Sequence, residues 1–117
     1  MPPKPSKRFL STHNTFGIEV EAQRFISVSS PDQLTAIIDR YPGAKMVLGG
    51  GSNILFTQDP EPLILYNRIL GKELVSQTEE EVIVRIGGGE IWHDFVLWCL
   101  AHDWGGVENL SLIPGTV

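Results

Sequence analysis

Cysteine is almost absent from these 117 residues: Cys99 is the only one. A single thiol excludes an internal disulfide and every paired-cysteine metal spacing, and it suits a reducing compartment, so a cytoplasmic setting is expected. The few histidines, His13, His93 and His102, show no i, i+4 pairing, which leaves no metal-ligand set. Basic residues are also scarce, nine Lys and Arg against fourteen Asp and Glu, for a net charge of −5. A duplex nucleic-acid binder needs a basic face, so that class is set aside. Long apolar runs are lacking, and no stretch approaches the length that spans a bilayer. Lys4, Lys7 and Arg8 sit among prolines with no apolar h-region behind them, which excludes a secretory signal there. Residues 1–13 read as a flexible tail. No serine–histidine–acid or paired-carboxylate arrangement stands out.

Periodic apolar segments are present instead. Residues 22–28 carry Phe25, Ile26 and Val28, a short strand. Ser30, Pro31 and Gln33 then give an N-cap, a first-turn proline and a capping box, ahead of an apolar stripe of Leu34, Ile37, Ile38 and Tyr41. Pro42-Gly43 ends that helix. Met46, Val47 and Leu48 follow as a strand whose continuous apolarity predicts cover on both faces. Strand, helix and strand make a βαβ unit, and 63–66 is a third buried strand. From Gly71 the pattern changes: 72–78 and 82–86 flank the acidic tip Glu79-Glu80-Glu81 as an antiparallel hairpin. Ile91, Phe95, Trp98, Cys99 and His102 then recur at helical spacing over 90–102, up to Gly105-Gly106. Cys99 falls on the apolar face, as a buried and inert thiol; Trp92, Trp98 and Trp104 are expected in the core. The fold class is α/β (α+β), a small parallel lobe over 14–70 and the beginning of an antiparallel lobe over 71–117.

Glycine is where chemistry enters. Gly49-Gly50-Gly51-Ser52-Asn53 directly follows the second strand. Glycines reach positive φ and let a ligand approach bare main chain. Successive N–H groups in such a turn form a nest for phosphate oxygens, at the strand end where ligands of α/β sheets collect. A plain tight turn explains the same residues equally well. Two other phosphate designs do not fit: no lysine follows as in a Walker loop, and neither a third glycine nor a helix follows as in a dinucleotide fingerprint.

Four motifs in order carry a resemblance: Asn14-Thr15-Phe16-Gly17, the 48–55 glycine loop, Gly87-Gly88-Gly89-Glu90 with Trp92, and Gly106-Val107-Glu108-Asn109-Leu110 running into Ile113-Pro114-Gly115-Thr116-Val117. The order resembles the UDP-N-acetylenolpyruvoylglucosamine reductase family of peptidoglycan precursor synthesis, over nearly the whole chain. The resemblance implies a FAD-binding domain of the vanillyl-alcohol oxidase or p-cresol methylhydroxylase type, with FAD between two lobes. It implies that Gly49, Gly50, Gly51, Ser52 and Asn53 contact the FAD diphosphate, and that Ile113, Pro114, Gly115 and Thr116 run along the flavin. It also implies NADPH and a UDP-sugar as reactants, with the family's serine, arginine and glutamate beyond Val117, so that this chain alone is expected to be inactive and to self-associate through its hairpin. The rival readings are a flavin-dependent oxidase of the same fold and a nucleotide-binding or interaction module without catalysis.

Overall fold

The apolar residues of the first half need a sheet with two covered faces. In the computed structural model, which describes Met1–Val117, that sheet has strands β1 (Ser6–Phe9), β2 (Glu21–Val28), β3 (Lys45–Leu48) and β4 (Leu63–Asn67). Their spatial order is β1-β2-β4-β3. β2, β4 and β3 run parallel, and β1 lies antiparallel on β2. One face packs Phe25, Ile64 and Leu48 with Leu10, Val20 and Phe56. The other packs Ile26, Val28, Leu63 and Leu65 under Ile37 of the helix α1 (Pro31–Arg40).

α1 starts where expected: Ser30 Oγ accepts from the Gln33 N–H at 3.1 Å. The reciprocal half of the box shifts by one residue, because Gln33 Oε1 accepts from the Ser29 N–H at 2.7 Å. Leu34, Ile37 and Tyr41 pack on the sheet, whereas Ile38 leaves the stripe and is half exposed.

Two expectations about this sheet need correction. β4 inserts between β2 and β3, so the strand buried on both faces is β4, with Leu63, Ile64 and Leu65 all at most 3% exposed. β3 becomes an edge, and its Val47 is 66% exposed. Strand composition reports apolarity but not spatial order, which is why β3 misled. Residues 1–13 are not a loose tail: β1 pairs with β2, Leu10 is fully buried, and Tyr41 Oη donates to the Pro3 carbonyl at 3.3 Å. The side chains of β1 are all exposed, so hydrophobic periodicity cannot reveal it; backbone pairing alone makes the strand.

The architecture changes after β4. β5 (Lys72–Gln77) and β6 (Val82–Ile86) form an antiparallel hairpin, closed at its tip by the Thr78 N–H donating to the Glu81 carbonyl at 2.8 Å. Val82, Val84 and Ile86 turn one half-buried face inward. Helix α2 (Trp92–Ala101) buries Phe95, Val96 and Cys99. Burial raises the Cys99 thiol pKa, as expected for an inert thiol. The tryptophans are not core residues: Trp92, Trp98 and Trp104 are only part-buried, with the Trp98 and Trp104 rings edge-to-face at 5.1 Å. A 3₁₀ turn, Glu108–Leu110, follows. No helix is long and apolar enough to cross a membrane.

Gly87-Gly88-Gly89 joins the lobes. A Cβ on Gly89 would stand 2.9 Å from the Arg68 backbone, and one on Gly87 would overlap the Ile69 carbonyl. Bare backbone therefore lies on bare backbone, held by Gly87 N–H to Gly71 O and Gly89 N–H to Ile69 O, each 2.8 Å. Glu90 adds a carboxylate that accepts from the Gly71 N–H at 2.8 Å.

Candidate functional site

The sheet delivers the first glycine loop to the carboxyl end of β3, and the segment after the 3₁₀ turn meets it there. Gly49, Gly50, Gly51, Ser52 and Asn53 line a cleft of about 290 Å³ together with Val47, Leu48, Ile54, Pro114, Gly115 and Thr116. Two stretches some sixty residues apart thus share one wall. Ile113 does not line this cleft and is half exposed. Approach is close on both sides. A Cβ on Gly49 would stand 2.7 Å from Thr116 Oγ1, and one on Gly115 would stand 3.0 Å from Ser52 Oγ.

The later segment is strapped to the start of α2. Trp92 N–H donates to Gly115 O and Val117 N–H to Glu90 O, both at 3.0 Å, and Ile91 bridges Thr116. Trp92 Nε1–H donates to the Leu110 carbonyl at 2.7 Å, and the Leu112 N–H donates to His93 Nδ1 at 3.0 Å.

No charged side chain lines the cleft. Its polarity comes from main chain: the N–H groups of Gly50, Gly51, Ser52 and Asn53 have no protein acceptor. Clustered, unpaired N–H groups beside glycine backbone form an anion nest, and the Ser52 hydroxyl and Asn53 amide add neutral donors. The cradle fits a diphosphate of FAD by this donor set, without a single cation.

Behind the loop stands a residue whose role the sequence did not reveal. Asn14, 7% exposed, is the one buried residue with a polar side chain. It closes the 10–20 loop, which packs against Gly51. His13 lies beside it, its ring 4.8 Å from that of Tyr66 and 5.4 Å from that of Phe25. Burial first, then the charge of Arg8, lowers the His13 pKa from its usual 6.5. The Asn14-Thr15-Phe16-Gly17 motif was legible as a pattern, but nothing in spacing says that its amide faces inward.

A loop-borne nest at a parallel strand end, shared by two lobes, is the site of a nucleotide cofactor domain. The FAD binding domain family matches residues 22–117, and the chain belongs to that family, with FAD as its cofactor. It is similar to the UDP-N-acetylenolpyruvoylglucosamine reductase of Bacteroides fragilis, 49% identical over 113 residues, which is 95% of this chain and 34% of that protein. The enzyme of the same name from Flavobacterium johnsoniae is 45% identical over 109 residues, 92% of this chain and 32% of its own length. In fold it resembles the crystal structure of UDP-N-acetylenolpyruvylglucosamine reductase from Thermus caldophilus, with a TM-score of 0.72 and 22% identity, over 97% of this chain and 40% of the other. The chain spans about a third of the length of the curated relatives it matches.

Proposed function

We propose that this chain is the FAD-binding part of a reductase that converts UDP-N-acetylglucosamine enolpyruvate to UDP-N-acetylmuramate with NADPH, in cytoplasmic synthesis of peptidoglycan precursors. The relatives' shared name supports the activity, and one observation carries the cofactor role: four acceptor-free N–H groups in the loop that lines a neutral, glycine-walled cleft. In this reading Gly50, Gly51, Ser52 and Asn53 bind the diphosphate, while Pro114, Gly115 and Thr116 close the opposite wall. Ile113 lies outside the cleft wall and is half exposed, which leaves its side chain available to the rest of the cofactor. Donors fixed in the loop backbone would need little reorganisation on binding, which preserves their electrostatic effect. FAD held by these residues would supply the redox chemistry of the reduction, while the chain's own part is to bind and orient it.

Titration of FAD onto the purified chain tests the proposal, with riboflavin, which lacks the diphosphate, as the comparison. FAD is expected to bind much more tightly; equal or absent binding of both would refute the cradle. The cleft contains no titratable side chain to serve as a general acid. The chain alone is therefore expected to bind FAD without oxidising NADPH in the presence of the enolpyruvyl substrate. Substrate-dependent oxidation above a free-flavin control would contradict that.

A further inference from the structure

We propose that Asn14 is a positioning residue for the FAD diphosphate, locking the 10–20 loop so that Gly51 aims the Ser52 N–H into the cleft. This deepens the FAD-binding reading above and rests on it. Every polar atom of the Asn14 side chain is engaged. Nδ2 donates to the Leu10 carbonyl at 2.7 Å and to the Ile18 carbonyl at 3.0 Å, and Oδ1 accepts from the Ile18 N–H at 2.9 Å. Its main-chain carbonyl accepts from the Gly17 N–H at 3.1 Å, closing a turn inside the loop. Buried and satisfied on all sides, the amide holds both ends of the loop in one geometry.

That geometry reaches the cleft through a single residue. A Cβ on Gly51 would stand 2.7 Å from Asn14 Cα and would overlap the His13 carbonyl, so the loop backbone lies directly on the glycine. The Thr15 N–H donates to the Gly51 carbonyl at 3.1 Å. The chain has no cis peptide, and a planar trans peptide points its C=O and N–H in opposite directions. With the Gly51 carbonyl tied to Thr15, the Ser52 N–H of the same peptide turns away from the 10–20 loop. Ser52 lines the cleft and no residue of the 10–20 loop does, from which we infer that the cleft lies on that side. The Ser52 N–H has no protein acceptor, so the tether leaves it free for an anion.

A turn-closing role alone would support the fold without touching this peptide, and two variants separate the two roles. Asn14→Ala releases the loop; Thr15→Pro removes the N–H that holds Gly51 and leaves Asn14 in place. Thr15 is the second residue of the 14–17 turn, a position that suits proline. Leu63→Val, in the core on the far face of the sheet, supplies a destabilised control. FAD affinity and the Ser52 backbone amide shift on FAD addition are measured for each. Loss of one charge-assisted hydrogen bond predicts about tenfold to hundredfold weaker binding in Asn14→Ala and in Thr15→Pro. The double variant should be little worse than either, because both act on one contact. Leu63→Val should keep wild-type affinity. Should Asn14→Ala fail to fold, Thr15→Pro decides alone. A folded Thr15→Pro with wild-type affinity and amide shift overturns the positioning role, as does an equal loss in Leu63→Val. A wild-type chain that binds no FAD overturns the parent reading instead, and this one with it.

Discussion

Gly50 and Gly51 look equivalent in the sequence, and the structure divides their work. Gly51 sits at φ +69° with the 10–20 loop against it, so it serves the fold as well as the cleft wall. Gly51→Ala is expected to lower stability by about 1–3 kcal/mol or more, from left-handed strain and the clash. A Cβ on Gly50 would meet only Gly115 Cα, at an ordinary 3.7 Å. Gly50→Ala should leave the apo melt within about 0.5 kcal/mol, yet weaken FAD binding, because the methyl occupies the ligand's side. Melting curves and FAD titrations on the pair check the split; unchanged affinity in Gly50→Ala would remove this residue from the cradle. His13 carries a prediction of its own. Its lowered pKa means that the unfolded chain binds a proton more readily than the native one, so stability is full above about pH 6.5 and falls as the pH drops below it. Glu108 has linkage of the same sign, in a lower pH range. Backbone N–H groups at Glu108 and Gly106 hold its carboxylate below the usual 4.5, and the resulting stability is lost only as pH falls through that lower value. Between pH 7 and 5 His13 is therefore expected to contribute a fall in stability toward acid. Urea midpoints over that range should fall in the wild type and flatten in His13→Gln; parallel curves would assign the slope elsewhere.

Among the elements, those with strong local signals were legible and those defined by partners were not. The capped, amphipathic α1 and the β5–β6 hairpin follow from residues a few positions apart. β1 exists only because β2 offers it an edge, and its exposed side chains leave no periodic trace; β4 reads as a buried strand, but its central place follows only from the connection after β3 folding back. The site shows the same division. The glycine loop announces itself by composition, whereas the strap that faces it was reached only through the resemblance, since its own sequence completes no helix or strand. Ile113, outside the cleft wall, shows how coarse that route is at single residues. The strap depends on the first turn of α2, which gives a test at this scale. Trp92→Phe keeps an aromatic ring, though a smaller one, and deletes the Nε1–H bond to Leu110. With roughly 1 kcal/mol removed, amide exchange over 110–117 should quicken about fivefold and FAD affinity should fall by a similar factor. Unaltered exchange there would mean that the backbone bonds at Gly115 and Val117 suffice.

At the scale of the whole molecule, the two lobes lie side by side rather than around one core. The radius of gyration is 16.5 Å and the extents are 49 × 33 × 17 Å, against about 13 Å for a compact domain of 100 residues. The first lobe has two covered sheet faces. The second has a hairpin whose strand β5 is exposed along its length, with no third strand on either edge. Leu74, Val75 and Ile83 are about half exposed, as are Leu97 and Leu100 on α2. Two-stranded hairpins are marginal in water, and open edges present unpaired N–H and C=O groups to any second strand. Two copies of this chain that pair their hairpins about a two-fold axis would satisfy both edge and apolar surface. The 117-residue chain is accordingly expected to self-associate, with the hairpin at the interface. Light scattering over a concentration series should show the mass rising, and exchange at Val82, Val84 and Ile86 should slow along with it. Leu74→Lys together with Ile83→Lys, both on exposed positions, should return the chain to a monomer without unfolding the first lobe. A wild-type monomer at every concentration, with slow exchange along β6, would show that α2 alone protects the hairpin and that the exposed face needs no partner.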